Sequence, residues 1–72
     1  MKTIIIDDKE YCIVDTIIID DTEYTYFINT NDETDFFFKK TTIKNEEKYY
    51  SPLKDKNEFE KVLLSFAKKY NE

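Results

Sequence analysis

Apolar and polar residues alternate in short blocks over the first fifty positions, and the spacing then turns helical. Ile4–Tyr11 reads IIIDDKEY, and Ile17–Tyr24 reads IIIDDTEY. In each copy three isoleucines favour a strand, the acidic cluster favours a turn, and the tyrosine begins the next strand. The rhythm continues after the letters diverge. Aromatic residues re-enter at Tyr11, Tyr24, Phe36 and Tyr49, in steps of 13, 12 and 13.

This pattern predicts strands over 2–6, 11–19, 23–29, 35–43 and 47–51. The turns between them are Asp7–Glu10, Asp20–Thr22, Asn29–Thr34 and Lys44–Glu46. Such short connections make neighbouring strands antiparallel, so the sheet is a meander. Glycine is absent. Turn positions that need a positive φ then fall to Asn or Asp, with Asn29, Asn31 and Asn45 as candidates.

Pro52 ends the fifth strand. Asp55 and Glu58 have capping-box spacing, with Asp in place of Ser or Thr. Phe59, Val62, Leu63, Phe66 and Tyr70 then fall on one helical stripe. Lys68 and Lys69 suit the negative end of the helix dipole. The spacing predicts a helix over 56–70, about 20 Å long, enough to cross the sheet.

The fold class expected is α+β, with residues 1–72 as a single domain. It is a five-stranded antiparallel meander with one C-terminal helix packed on one face. That helix covers one face only, yet apolar residues point both ways. Strict alternation puts Cys12, Val14, Thr16 and Ile18 on one face of the second strand, and Tyr11, Ile13, Asp15, Ile17 and Ile19 on the other. Tyr24, Tyr26 and Ile28 oppose Phe27, and Phe36 and Phe38 oppose Phe37. Three arrangements stay open for the second face: a sheet curled into a half-barrel, a face-to-face homodimer, or a docking face for a partner.

Seventy-two residues give one small core, and 17% aromatic residues make a dense one achievable. The single cysteine, Cys12, excludes an internal disulfide and reads as a small buried hydrophobe. A nucleophilic role would want a basic partner, and the chain has no histidine. The apolar runs are too short for a membrane span or a signal peptide, so a cytoplasmic location is expected.

Net charge is −5, unevenly spread. Residues 1–36 hold two lysines and ten acids, and residues 37–72 hold nine lysines and six acids. Every basic residue is lysine, which suits bidentate recognition of phosphate or guanine poorly. Two acidic turns, Asp7, Asp8 and Glu10, then Asp20, Asp21 and Glu23, offer oxygen ligands. Neither follows the D-x-D-x-D-G calcium pattern, and both read as solvated turns. Phe36-Phe37-Phe38-Lys39-Lys40 could stack bases, but the negative net charge opposes a polyanion, so direct nucleic-acid binding is not expected. Without Gly, His or Trp most enzymatic motifs are excluded. No cofactor, metal or catalytic set is expected.

Tyr11-x-Ile13-Val14-Asp15-Thr16-Ile17, Tyr24-x-Tyr26, Asp35-Phe36-Phe37-x-Lys39-Lys40 and Glu58-Phe59-Glu60-Lys61-Val62-Leu63 together resemble the YrzB-like domain-of-unknown-function family. These are small acidic proteins of Gram-positive bacteria and their mobile elements. The resemblance spans about residues 10–68. It implies a small cytoplasmic strand-rich domain with a C-terminal helix, and it carries no activity.

The reading that follows is a non-enzymatic module that binds another protein through an aromatic sheet face, with Tyr26, Phe37 and Tyr50 as contact residues. The alternative is an acidic inhibitor from a phage or mobile element. Its Asp7, Asp8, Glu10, Asp20, Asp21 and Glu23 would imitate a nucleic-acid backbone and occupy a basic channel.

Overall fold

A computed structural model describes residues 2–71. Five strands and one helix follow in chain order: β1 Thr3–Ile6, β2 Lys9–Ile19, β3 Thr22–Asn29, β4 Asp32–Lys44, β5 Glu47–Ser51 and α1 Lys56–Tyr70. The strands form one antiparallel sheet in sequence order, the meander expected from the spacing. The bounds of β5 and α1 agree with the sequence reading. β2, β3 and β4 begin earlier than expected, and β1 begins one residue later.

The early starts have one cause. The connections are two-residue hairpins, so strand pairing resumes at once. Asp7 and Asp8 have φ of 51° and 64°, Asp20 and Asp21 have 50° and 66°, and Asn45 and Glu46 have 50° and 69°. Paired positive φ values are what a type I′ turn requires, and that turn matches the twist of the strands. Asn45 was expected in this role; Asn29 and Asn31 do not take it. The β3–β4 turn is held by side chains instead. Asn29 Oδ1 accepts from Asn31 N at 2.7 Å, and Asp32 Oδ1 accepts from Thr34 N at 3.0 Å.

Glutamate is a poor residue for φ of 69°, and Glu46 is exposed. Glu46→Gly would create Asn-Gly, the preferred type I′ pair. The expected gain is about 1 kcal/mol, or a Tm about 4–8 °C higher by thermal melting. An unchanged or lower Tm would refute this account of the turn.

A bulge in β2 decides which residues share a face. The register runs Ile13↔Phe27 and then Asp15↔Tyr26, so Val14 is the extra residue. The alternation therefore inverts there. Tyr11 and Ile13 lie on the face of Phe27 and Phe37. Val14, Asp15, Ile17 and Ile19 lie on the face of Tyr24 and Tyr26. Strict alternation had joined Tyr11 and Ile13 to Asp15 and Ile17, and the bulge separates them.

Helix α1 packs on the second of these faces. Tyr24, Phe38, Val62 and Phe66 are buried there, with Ile17, Ile19, Tyr26, Leu53 and Phe59 around them. Phe66 stacks on Phe38 at 5.3 Å between centroids, and Phe59 meets Phe38 at 5.4 Å. Asp55 caps the helix by accepting from Glu58 N at 3.0 Å. Lys69 Nζ pairs with Asp15 Oδ2 at 2.7 Å, and Lys61 Nζ pairs with Asp20 Oδ2 at 2.9 Å.

The opposite face closes on itself, because the sheet curls into a half-barrel. Phe27 is 0% exposed there, although no helix covers it. Phe37 stacks on Phe27 at 5.1 Å, Tyr50 meets it edge-on at 5.1 Å, and Tyr11 meets Phe37 at 4.8 Å. Tyr11 Oη donates to Asp35 Oδ2 at 2.6 Å, and Asn29 Nδ2 donates to the same oxygen at 3.1 Å. The Tyr11 bond draws the Asp35 carboxyl below its usual range and raises the Tyr11 phenol.

Among the described residues, β2 has no strand on its outer side beyond Ile13, since its pairing with β1 stops there. Its Thr16 backbone groups are occupied by side chains. Thr16 N donates to Asp15 Oδ1 at 2.8 Å, and Lys69 Nζ reaches Thr16 O at 3.3 Å. Occupying these groups blunts an edge that could otherwise recruit a stray strand.

Candidate functional site

The aromatic contact residues expected from sequence do not form one surface. Phe37 and Tyr50 flank Phe27 on the self-closed face. Tyr26 lies on the helix face, against Phe66 at 5.5 Å and Phe38 at 5.2 Å. All three are half-buried. The register explains the separation, because Tyr26 pairs with Phe38 while Phe37 pairs with Phe27.

The acidic residues are also divided. The Asp7–Asp8 and Asp20–Asp21 turns lie at opposite ends of β2, roughly 30 Å apart along an eleven-residue strand. At the second turn Asp20 is paired with Lys61, and Glu23 is half-buried with a buried Oε2 that has no hydrogen-bond partner. The first turn gains neighbours instead. Alternate turns of a meander share an end, so Asp32 and Glu33 lie at the same end of the sheet as Asp7, Asp8 and Glu10. Thr30 joins the two turns: its N donates to Glu10 O at 3.0 Å and its Oγ1 to Glu10 Oε1 at 3.1 Å. Lys9 is the only lysine between Thr3 and Phe38.

Next to this acidic end lies an apolar groove on the helix face. Helix α1 covers the rows of Ile17, Tyr24 and Lys40 and of Asp15, Tyr26 and Phe38. The next row toward the acidic end is Thr3, Cys12, Ile28 and Phe36, in successive register, and no helix covers it. Phe36 is 39% exposed, Val14 43% and Ile5 74%. These residues form the floor.

The helix supplies a wall. Lys61 and Glu58 turn toward the far end of the sheet, where they meet Asp20 and Tyr24. Leu63 lies about 200° around the helix from Lys61, so it faces the open row. Leu63 is 39% exposed and Tyr70 53%. Tyr70 stacks against Phe66 at 6.4 Å and donates to Asp15 Oδ2 at 3.0 Å. Burial, and then this bond, push the Tyr70 phenol up to about 12. The five-residue helical stripe is therefore divided: Val62 and Phe66 fill the core, while Leu63 and Tyr70 border the groove.

Sequence reasoning missed Val14, Phe36, Leu63 and Tyr70 as a group. A signal was present. One helix about 10 Å wide covers two or three residue rows, and an eight-residue strand spans about 26 Å. Part of the helix face had to stay open.

A second, open cavity of about 370 Å³ is lined by Ile6, Asp7, Tyr11, Phe37, Phe38, Lys39, Pro52, Leu53 and Phe59. Its charged lining residues are Asp7 and Lys39. Among the described residues no group of three or more His, Cys, Asp or Glu side chains is placed to hold a metal ion. No helix is long and apolar enough to cross a membrane. Comparison with known proteins finds no matching family model, no matching curated protein and no matching solved structure.

Proposed function

We propose that this chain is a non-enzymatic cytoplasmic module that binds another protein through the apolar groove beside α1. One observation carries the reading. Val14, Phe36, Leu63, Tyr70 and Ile5 are all large and at least 39% exposed, and they lie along the part of the helix face that α1 leaves open. Contiguous apolar surface of this kind is unusual on a monomer unless something covers it. The resemblance to the YrzB-like family is compatible, since it implies no catalytic residues.

The test is affinity purification from the native host with wild type, Val14→Lys and Phe36→Ala. Both side chains are substantially exposed, so circular dichroism should show an intact fold. Recovery of the partner should fall at least about tenfold with either change. Equal recovery from all three proteins would sink the groove as the docking site.

A second reading remains, the acidic inhibitor. Asp7, Asp8, Glu10, Asp32 and Glu33 support it, since they gather at one end of the sheet. That complex would weaken steeply between low and high salt, whereas a complex made mainly by the groove would weaken little.

A further inference from the structure

We infer that the outer edge of β1 takes an extended segment of another protein as an added antiparallel strand, with one apolar side chain of that segment seated in the cavity beside Ile6 and Tyr11. This site is separate from the strip beside α1.

The edge supplies the main-chain half of the site. β1 stands first in the sheet and pairs with β2 alone. Its two-residue turn makes Ile6 and Lys9 a hydrogen-bonded pair, so Ile4 and Ile6 turn their N–H and C=O groups toward β2. Lys2 O, in the same phase, accepts from Ile13 N at 3.0 Å. Thr3 and Ile5 therefore turn theirs outward, and among the described residues no backbone bond reaches them. Ile5 is 74% exposed. Nothing blunts this edge as Asp15 and Lys69 blunt the far end of β2. Thr3–Ile6 carries no charge, proline or bulge, whereas β5, at the other end of the sheet, carries Glu47 and Lys48.

The cavity supplies the side-chain half. Ile4 pairs with Tyr11, so Ile4 and Ile6 stand on the face of Tyr11 and Phe37. The open cavity of about 370 Å³ lies between Ile6 and Asp7 on one side and Pro52 and Leu53 on the other, with Tyr11 and Phe37 among its walls. On an added strand, the residue opposite Ile6 points its side chain the same way and enters this space. The edge bonds then give affinity, and the cavity selects an apolar side chain. A single chain is the occupant because Pro52 and Leu53 face β1 across the cavity. A second sheet laid edge to edge would run into them.

The experiment titrates the whole isotope-labelled protein with a seven-residue peptide and follows amide NMR shifts. The peptide alternates threonine with valine and has phenylalanine at its centre. Shifts should centre on Thr3, Ile5, Ile6 and Phe37. In the antiparallel register with phenylalanine in the cavity, the threonine N–H groups face β1. Methylating those nitrogens should raise Kd at least about tenfold, and methylating the valine nitrogens should change it less than about twofold. Ile5→Pro removes an N–H that bonds nothing within the domain. Circular dichroism should therefore stay unchanged while Kd rises at least about tenfold. Val14→Lys, on the strip beside α1, should leave Kd unchanged. Equal affinity of the threonine-methylated and unmethylated peptides would overturn strand addition, whether or not Ile5→Pro folds. Shifts confined to Val14, Phe36 and Leu63 would assign the peptide to the strip and overturn this site alone. No shift up to about 1 mM would overturn it as well. A dimer of the free protein that Ile5→Pro dissociates would give the edge to a second copy and overturn the assignment to another protein.

Discussion

Phe27→Ala should lower the unfolding free energy by about 3–5 kcal/mol, measured by urea denaturation. That is most of the stability a domain of this size has. The reason is position. Phe27 is 0% exposed on the face without a helix, where Phe37 and Tyr50 pack against it and Ile13 pairs opposite it. The large expected cost separates the three arrangements left open by the sequence. On a curled sheet, Phe27 is core and its loss leaves a cavity. On a docking or dimer face it would be solvated in the monomer, and truncation would cost little. Phe36→Ala is the internal control. Phe36 is adjacent in register but 39% exposed on the other face, so it should cost clearly less. Similar costs for the two would contradict the self-closed face.

How much of this was legible in the sequence differs from element to element. Helix α1 was fully legible. Its stripe, its Asp55 cap and its terminal lysines all act over one or two turns, so local spacing contains them. The meander was legible for a related reason, since short turns fix the order of antiparallel strands. The bulge at Val14 was not. Nothing local marks it: Cys12-Ile13-Val14 is an unbroken apolar run that suits either face. The bulge exists because Ile13 must face Phe27 while Asp15 must reach Lys69 and Tyr70, partners more than fifty residues away. The docking residues were obscured by the same cause. Aromatic content pointed to Phe37 and Tyr50, but the curl of the sheet uses them to cover Phe27. Phe36, adjacent to Phe37, stays open because α1 covers only the rows beside it.

The repeated IIIDDxEY segments show the same limit. Their letters nearly match, yet their surroundings differ. In the first, the Asp7–Asp8 turn is exposed, at the same end of the sheet as Asp32 and Glu33. In the second, Asp20 is tied to α1 through Lys61, and Glu23 is drawn inward between Ile18 and Thr41. Identical strand–turn–strand chemistry thus yields an acidic rim at one end of the sheet and a helix anchor at the other.

Glu58→Ala should cost about 2 kcal/mol, and Glu58→Gln about half as much. The Glu58 carboxylate joins three elements: Oε2 accepts from Tyr24 Oη at 2.8 Å, Lys40 Nζ lies 3.2 Å from the same oxygen, and Oε1 accepts from Lys54 N. Tyr24 is only 3% exposed, so alanine leaves a buried hydroxyl with no acceptor. Glutamine keeps an acceptor and loses the charge. The pH dependence distinguishes the two effects. The bond from Lys54 N, with smaller help from Tyr24 and Lys40, holds the Glu58 carboxyl below its ordinary value of 4.5. A depressed carboxyl contributes stability that is present above 4.5 and disappears as pH falls through the lower folded value. Wild type should therefore lose stability more steeply below pH 4.5 than Glu58→Gln does. Burial, and then the Glu58 bond, push the Tyr24 phenol from 10.0 up to about 12. A raised phenol contributes stability that is complete below 10.0 and disappears as pH rises toward 12. Because burial is the larger cause, Glu58→Gln should retain most of that alkaline loss, while Tyr24→Phe should remove Tyr24's share of it. Parallel acid limbs for wild type and Glu58→Gln would show that Glu58 holds α1 to the sheet by shape alone, without its charge.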